Sequence, residues 1–362
     1  MQTFDTVCFS SGGIMGVSML GFAEALYRYG ILNNSIIRYI GTSVGSIIAL
    51  LLSIGYKPIE LLDCALILNI FNALESVQIE TIKKYGIITH EIFLQPVKKL
   101  LKDKIGRDDI SLLDLYLLTG KHLVCTSTDL TNFCAVYLDY INTPNISCIE
   151  AVMMSSSIPG IFPAICRDNI TTNTTNILTW YIDGAFCDPM PMRYFDNGKN
   201  HIIGVYAKSA DSDIPSLGLT GYLYRCTSVS ILEIERLRRE KLSDKAVCID
   251  ITIQGMSLLG KGDTQNQRVD NFMKGYKDSK NYIQEKLVGK YHTAIIPYLY
   301  TSLLGSNKVP NSELNNTDNT NYTVYDIDNK TTVIHCGKAL SVIIPSKSTD
   351  TLIEYFLHTD KK

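Results

Sequence analysis

The sequence has no C-x-x-C pair: its ten cysteines stand singly at 8, 64, 125, 134, 148, 166, 187, 226, 248 and 336. Such scatter supplies neither the paired ligands of a structural zinc site nor a disulfide framework. Several sit in apolar runs, as Cys125 does after Leu123-Val124 and Cys248 before Ile249. There a reduced thiol behaves as a small hydrophobe, so the expectation is a reducing, cytosolic compartment. Charge is scarce too. With 34 Lys+Arg against 36 Asp+Glu, the net charge of -2 gives no overall field to draw in a phosphate backbone or an anionic membrane surface. No nucleic-acid partner is expected. Long hydrophobic runs are missing as well: the longest, Ser46 to Tyr56, falls far short of the roughly 20 residues that span a bilayer. The start, Met1 to Thr6, carries Asp5 and no base, unlike a secretory signal. What the chain does have is apolar mass. At 46% hydrophobic over 362 residues it is no disordered polymer, and its length suits about two domains or one large domain with an appendage.

Periodicity in the first sixty residues alternates between strand and helix. Thr6-Val7-Cys8-Phe9 reads as a short buried strand, and Gly16 to Tyr29 repeats apolar residues at helical spacing until Gly30. Ile36 to Ile40 reads as a second strand and Val44 to Ile54 as a helix closed by Gly55. This β-α-β-turn-α order favours a parallel sheet. Residues 58–118 read as mostly helical, with Pro96 expected to mark a fresh start. Strand-like runs return at His122 to Ser127, Cys134 to Leu138, Leu178 to Ile182, Ile202 to Ala207 and Val247 to Ile253, with helical text at Leu219 to Leu242. A Ser/Asn/Thr-rich segment, 305–321, reads as a linker or loop, followed by a strand-like Thr332 to His335 and a closing helix at Thr351 to His358. The expected division is a main strand-helix domain over 1–290 and an extension over 291–362.

Three motifs carry chemistry. Gly41-Thr42-Ser43-Val44-Gly45 is a G-x-S-x-G set between a predicted strand and a predicted helix. A turn that sharp strains the serine backbone and needs flanking residues without side chains. It also projects the hydroxyl at a helix N-terminus, where developing negative charge is favoured. An acyl-transfer nucleophile fits there, and so does a plain helix-capping serine. Ser10-Ser11-Gly12-Gly13-Ile14-Met15-Gly16 follows the first strand and opens the first helix. It lacks the G-x-G-x-x-G and G-K-[ST] patterns of nucleotide loops. The amides of Gly12, Gly13 and Ile14 suit an oxyanion hole, with an ordinary strand-helix turn as the alternative. In Trp180-Tyr181-Ile182-Asp183-Gly184-Ala185 an aspartate ends an apolar strand. Asp183 is either a base that takes the serine proton or a residue satisfying its own turn.

An α/β-hydrolase would need a histidine after its acid, and His201, His292, His335 and His358 lie in no telling context. That fold also places several strands before its nucleophile, where Ser43 follows two. The order of motifs resembles instead the patatin-like phospholipases: a glycine-rich box at Ser11 to Gly16, an elbow at Gly41 to Gly45, and a D-G-A at Asp183 to Ala185. A fourth block, Ser155-Ser156-Ser157-Ile158-Pro159 with Gly160 to Pro163, resembles the family's small-residue segment ending in proline.

The resemblance implies a three-layer α/β/α sandwich with a mostly parallel central sheet. It implies a Ser-Asp dyad, with Ser43 as nucleophile, Asp183 as base, the amides of Gly12, Gly13 and Ile14 as oxyanion hole, and no metal or other cofactor. The implied substrates are esters of phospholipids, lysophospholipids or glycerides, met by peripheral contact with a membrane or lipid-droplet surface. A catalytically impaired lipid- or protein-binding regulator, and an acyltransferase, are the alternatives. Two departures stand out. Met15 sits where the family carries Arg or Lys, which removes an anion anchor, and Asp188 sits where Asn is common, adding a charge expected to raise the Asp183 pKa. The apolar residues of 61–74 and 87–101 are expected either to rim the substrate entrance or, more simply, to pack in the core.

Overall fold

The computed structural model describes residues 3–67, 82, 85–168, 170, 178–209, 219–253 and 264–288, with the backbone of 322–328, 331–336 and 340–345. The chain divides into two compact units, Gln2–Ile283 and Gln284–Lys362.

The first unit opens with β1 (Thr6–Phe9), α1 (Gly16–Arg28), β2 (Arg38–Thr42) and α2 (Val44–Ser53), followed by α3 (Pro58–Ile67), α4 (Glu91–Ile105) and α5 (Leu112–Thr119). Next come β3 (His122–Asp129), β4 (Cys134–Asp139), α6 (Cys148–Ser155), β5 (Ile165–Asp168) and β6 (Leu178–Asp183). The unit ends with β7 (Ile202–Ser209), α7 (Leu219–Arg239), β8 (Ala246–Ile253) and α8 (Gln265–Tyr282). Local chemistry sets several boundaries. The hydroxyls of Ser111 and Ser147 accept the Asp114 and Glu150 amides at the starts of α5 and α6, and left-handed glycines, Gly106 and Gly120, end α4 and α5. Thr264 and Gln267 form a reciprocal capping box at the start of α8.

The strands form one sheet in the order β5-β6-β3-β2-β1-β7-β8, with β4 also paired to β3. Pairs β3-β2, β2-β1, β1-β7 and β7-β8 are parallel, whereas β4, β6 and β5 join antiparallel. The fold is therefore mixed α/β around a mostly parallel sheet, as the sequence predicts. One face is covered by α1, α2, α6 and α8, with Phe22 of α1 edge-on to Phe9 of β1. On the other face Cys8, Ile40 and Val124 lie side by side in register under Met190 and Met192, with Ile202 and Tyr206 completing the cluster. Arg238 and Arg239 of α7 reach this same side. These are the three layers.

One feature of β3 positions everything that follows. Its edge opposite β4 carries two strands in succession: β2 pairs as far as Thr42↔Thr126, and at the very next residue β6 takes over with Asp183↔Ser127. Because β2 runs parallel to β3 and β6 antiparallel, their carboxyl ends meet head to head.

Pro96 does not begin a helix, contrary to expectation; α4 runs through it from Glu91. Phe93, Leu94, Val97 and Leu101 form one buried face on both sides of the proline, and that burial outweighs the one backbone bond the ring removes. Leu61, Ile88 and these four residues are core, so the described parts of 61–74 and 87–101 pack inward. The predicted loop over 305–321 and the helix at 351–358 lie outside the described residues. The second unit contains a three-stranded antiparallel sheet, β11-β10-β9, from β9 (Tyr322–Asp328), β10 (Thr331–Cys336) and β11 (Leu340–Pro345).

Helices α1 and α8 touch backbone to backbone. A Cβ on Gly21 would stand 2.0 Å from the Phe272 carbonyl oxygen, and one on Gly275 would stand 2.0 Å from that of Ser18. In an isolated helix alanine would be favoured over glycine by about 1 kcal/mol. Here Gly21→Ala or Gly275→Ala should instead destabilise by about 1–3 kcal/mol through overpacking, read from urea midpoints. A raised midpoint in either variant would contradict the packing.

Candidate active site

Ser43 follows β2 and caps α2 with φ 57° and ψ −127°, a left-handed region that a residue with a side chain enters only under compulsion. The compulsion is steric. A Cβ on Gly41 would come within 2.2 Å of the Gly45 carbonyl oxygen, and one on Gly45 within 2.4 Å of that of Phe9. Only with both side chains absent can α2 start so close above β1 and β2. The turn is closed by the Ser43 carbonyl, which accepts the Ser46 amide at 2.8 Å and the Ser46 hydroxyl at 2.6 Å.

Asp183 arrives from the opposite direction at the end of β6, at the ladder position after the one Thr42 occupies, and the Ser43 hydroxyl beside its carboxyl favours the ionised form. Its Oδ1 also accepts the Ala185 amide at 2.8 Å. Both residues are buried, Ser43 at 4% and Asp183 at 2% exposure, so their interaction is screened little by water. Burial pushes the Asp183 carboxyl up from 3.8 to about 6, against the opposing pull of the Ser43 hydroxyl and the Ala185 amide. Asp188 is not a cause of that shift, contrary to expectation. Its Oδ2 is held by Arg238 at 2.9 Å and by the Tyr137 hydroxyl at 2.6 Å, which neutralises the charge locally. Its backbone carbonyl accepts the Thr42 hydroxyl at 2.8 Å, fastening the loop after Asp183 to the residue before Ser43.

The glycine-rich turn leaves β1, the neighbour of β2, with Phe9 opposite Gly41. The Ser11 amide is taken by the Pro189 carbonyl at 2.8 Å and that of Met15 by the Gly12 carbonyl at 3.0 Å. Between them the amides of Gly12, Gly13 and Ile14 have no acceptor among the described residues. The turn abuts the elbow: a Cβ on Gly16 would fall 2.5 Å from Val44 Cγ2. Met15, the apolar residue at this point of the turn, is buried at 7% exposure. The structure thus brings Ser43 and Asp183 into contact and sets Gly12, Gly13 and Ile14 on the adjacent strand. No group of three metal-capable side chains occurs among the described residues.

The serine-rich block after α6 has a part that the sequence alone does not assign. Ser155 Oγ accepts the backbone amide of Ser43 at 2.9 Å, and the Ser157 carbonyl accepts that of Asp183 at 2.9 Å. The resemblance of this block to a family segment was the available signal; its link to both site residues comes only with the tertiary structure.

The model of the patatin-like phospholipase family matches residues 7–196, from β1 past Asp183, and the chain belongs to that family. It is 28% identical over 195 residues to "Probable lipid hydrolase 463L" of Invertebrate iridescent virus 6, covering 52% of this chain and 62% of that protein. It is 24% identical over 209 residues to "Uncharacterized protein R571" of Acanthamoeba polyphaga mimivirus, covering 56% and 66%. The matched stretches thus span less than two thirds of either relative. Among solved structures, VipD from Legionella pneumophila aligns with a TM-score of 0.49 and 19% identity over 78% of this chain and 67% of that one. Full-length ExoU from Pseudomonas aeruginosa, in complex with SpcU, aligns at 0.44 and 15% over 78% and 53%.

The buried carboxylate has a measurable thermodynamic signature. With a folded pKa of about 6 above the unfolded value, the native state holds its proton more tightly, so this group lowers stability as pH rises from about 4 to 6 and by a constant amount above. Two pKa units correspond to about 3 kcal/mol. Asp183→Asn should therefore gain about 2–3 kcal/mol over wild type between pH 4 and pH 8 in urea titrations. Parallel pH profiles for the two proteins would show that Asp183 is not a strained ionised group.

Proposed function

We propose that this chain is a lipid acyl hydrolase that cleaves carboxylic esters through an acyl-serine intermediate, with Ser43 as nucleophile and Asp183 as the single acid-base residue. The observation that carries the reading is the buried juxtaposition of Ser43 and Asp183 at two strand ends that meet on β3, with the Ser43 hydroxyl acting on the Asp183 carboxyl. Family membership supports the lipid ester substrate class.

In this mechanism Ser43 Oγ attacks the acyl carbonyl carbon while its proton passes to Asp183. A carboxyl with a pKa of about 6 is a stronger base than an ordinary aspartate, yet it is about nine-tenths ionised at pH 7. The carbonyl oxygen becomes an oxyanion, stabilised by the unpaired amides of Gly12, Gly13 and Ile14 and by the N-terminus of α2. Collapse breaks the bond to the alcohol, which leaves with the proton from Asp183. Water then attacks the acyl-serine and gives its proton to Asp183, and the fatty acid departs as Ser43 regains its hydrogen. Each step uses one carboxylate that alternately takes and returns one proton, so a histidine is not needed. No helix among the described residues is long and apolar enough to cross a membrane, so access to lipid is proposed to be peripheral.

Fatty acid release from mixed phospholipid, lysophospholipid and glyceride vesicles should fall by at least about a thousandfold in Ser43→Ala and in Asp183→Asn. In the wild type, kcat/KM should rise with pH through about 6 and level off above it, as Asp183 ionises. Full activity in folded Ser43→Ala, or a profile with no transition between pH 5 and 7, would refute this mechanism.

A further inference from the structure

His90 lies in none of the four motif blocks, yet its side chain ends at the segment that holds both site residues. The segment is short. Ser155 takes the backbone amide of Ser43 on its hydroxyl, and two residues on, Ser157 takes the backbone amide of Asp183 on its carbonyl. Any shift of 155–157 therefore moves the nucleophile and the base relative to each other. Ser127 ties the same region to the sheet, its hydroxyl lying 3.1 Å from the Met154 carbonyl and 2.9 Å from that of Ile182.

At the far end of the segment, His90 Nε2 lies 2.9 Å from Ser157 Oγ. Ser157 has one hydroxyl proton, and the Met153 carbonyl receives it at the shorter distance of 2.7 Å. His90 is therefore the donor, as the Nε2–H tautomer. The imidazole is stacked on Phe162 at 5.2 Å between centroids and edge-on to Phe93 at 5.9 Å. In that apolar surrounding burial lowers its pKa to about 4, so the ring is a neutral donor under working conditions. Its own backbone is fixed, because its carbonyl accepts the Phe93 and Leu94 amides in the first turn of α4.

We infer that His90 is a positioning residue. By donating to Ser157 it locks the 155–157 segment, and the locked segment sets the separation of Ser43 and Asp183 through one hydroxyl and one carbonyl. The inference rests on the proposed roles of those two residues. A second support is present and makes the question sharp: the Ile87 and Ile88 amides bond to the Ile161 carbonyl at 2.9 and 3.0 Å. If those bonds suffice, His90 is only packing.

The discriminating variants are His90→Phe, which keeps the ring stack and loses the donor, and His90→Gln, which keeps a neutral donor and loses the stack. Ser155→Ala cuts the same segment at the nucleophile end. With p-nitrophenyl butyrate as a soluble ester, His90→Phe and Ser155→Ala should each lower kcat about 10- to 100-fold with KM changed less than about twofold. The double variant should be little slower than either single one, since both act through one segment. His90→Gln should recover most of the lost kcat. Labelling of Ser43 by a fluorophosphonate, followed in parallel, separates the positioning role of His90 from the role of Ser43 itself. If wild type labels and His90→Phe and Ser155→Ala label as fast, the positioning role is overturned. It is overturned equally if His90→Gln is as slow as His90→Phe. If folded wild type neither labels nor turns over, the assignment of Ser43 fails first and this inference with it. Should His90→Phe not fold, Ser155→Ala and His90→Gln decide alone: wild-type rates in the former, or a slow His90→Gln, overturn the role.

Discussion

Two strands ending against each other on one edge of β3 is the constraint on which the rest of this structure depends. β2 brings Ser43 up from one side and β6 brings Asp183 down from the other, at consecutive positions of the same ladder. Backbone hydrogen bonding thus fixes the distance between the two residues before any side-chain choice is made. The consequences are costly locally: a serine in a left-handed conformation, two glycines that tolerate no side chain, and a carboxylate stripped of water. Each is a strain that a surrounding core must absorb. The central strands supply that core, with Val7, Cys8, Phe9 and Ile40 fully buried directly beneath the turn.

Burial does two things to Asp183 at once. It lowers the stability of the fold at neutral pH, and it makes the carboxylate a stronger base than an ordinary aspartate. The chain could have eased the first effect with a neighbouring cation. Instead Arg238 is paired with Asp188. Met15 repeats the pattern, an apolar side chain standing in a position that resembles one for Arg or Lys. The site is left with backbone dipoles and one carboxylate, a low-dielectric arrangement in which oriented amides act at full strength.

Most of this could be read from the residues. The strand-turn-helix order of the first sixty positions is visible because period-two and period-3.6 patterns alternate cleanly there, and Gly41 and Gly45 announce a turn that excludes side chains. Asp183 at the end of an apolar run was likewise legible. What the sequence does not show is direction. Nothing in Leu178 to Asp183 says that β6 enters antiparallel, or that it pairs with β3 just where β2 stops. Pairing partners are non-local, and periodicity reports only burial. For the same reason Gly21 and Gly275 look like two weak points in two helices until the helices are seen to touch. Pro96 is misleading in the sequence because a proline's local effect says nothing of the buried face that carries α4 through it. His90 and Ser155 were illegible as site-supporting residues because their partners lie 67 and 112 positions away.

The central claim is that acyl groups pass through Ser43 Oγ. Mixing the protein with a p-nitrophenyl ester, quenching in acid within the first turnover, and mapping peptides by mass tests it most directly. The account predicts an acyl increment on the peptide containing Ser43, absent from Ser43→Ala. Turnover without that increment, or with it on another residue, would contradict the account.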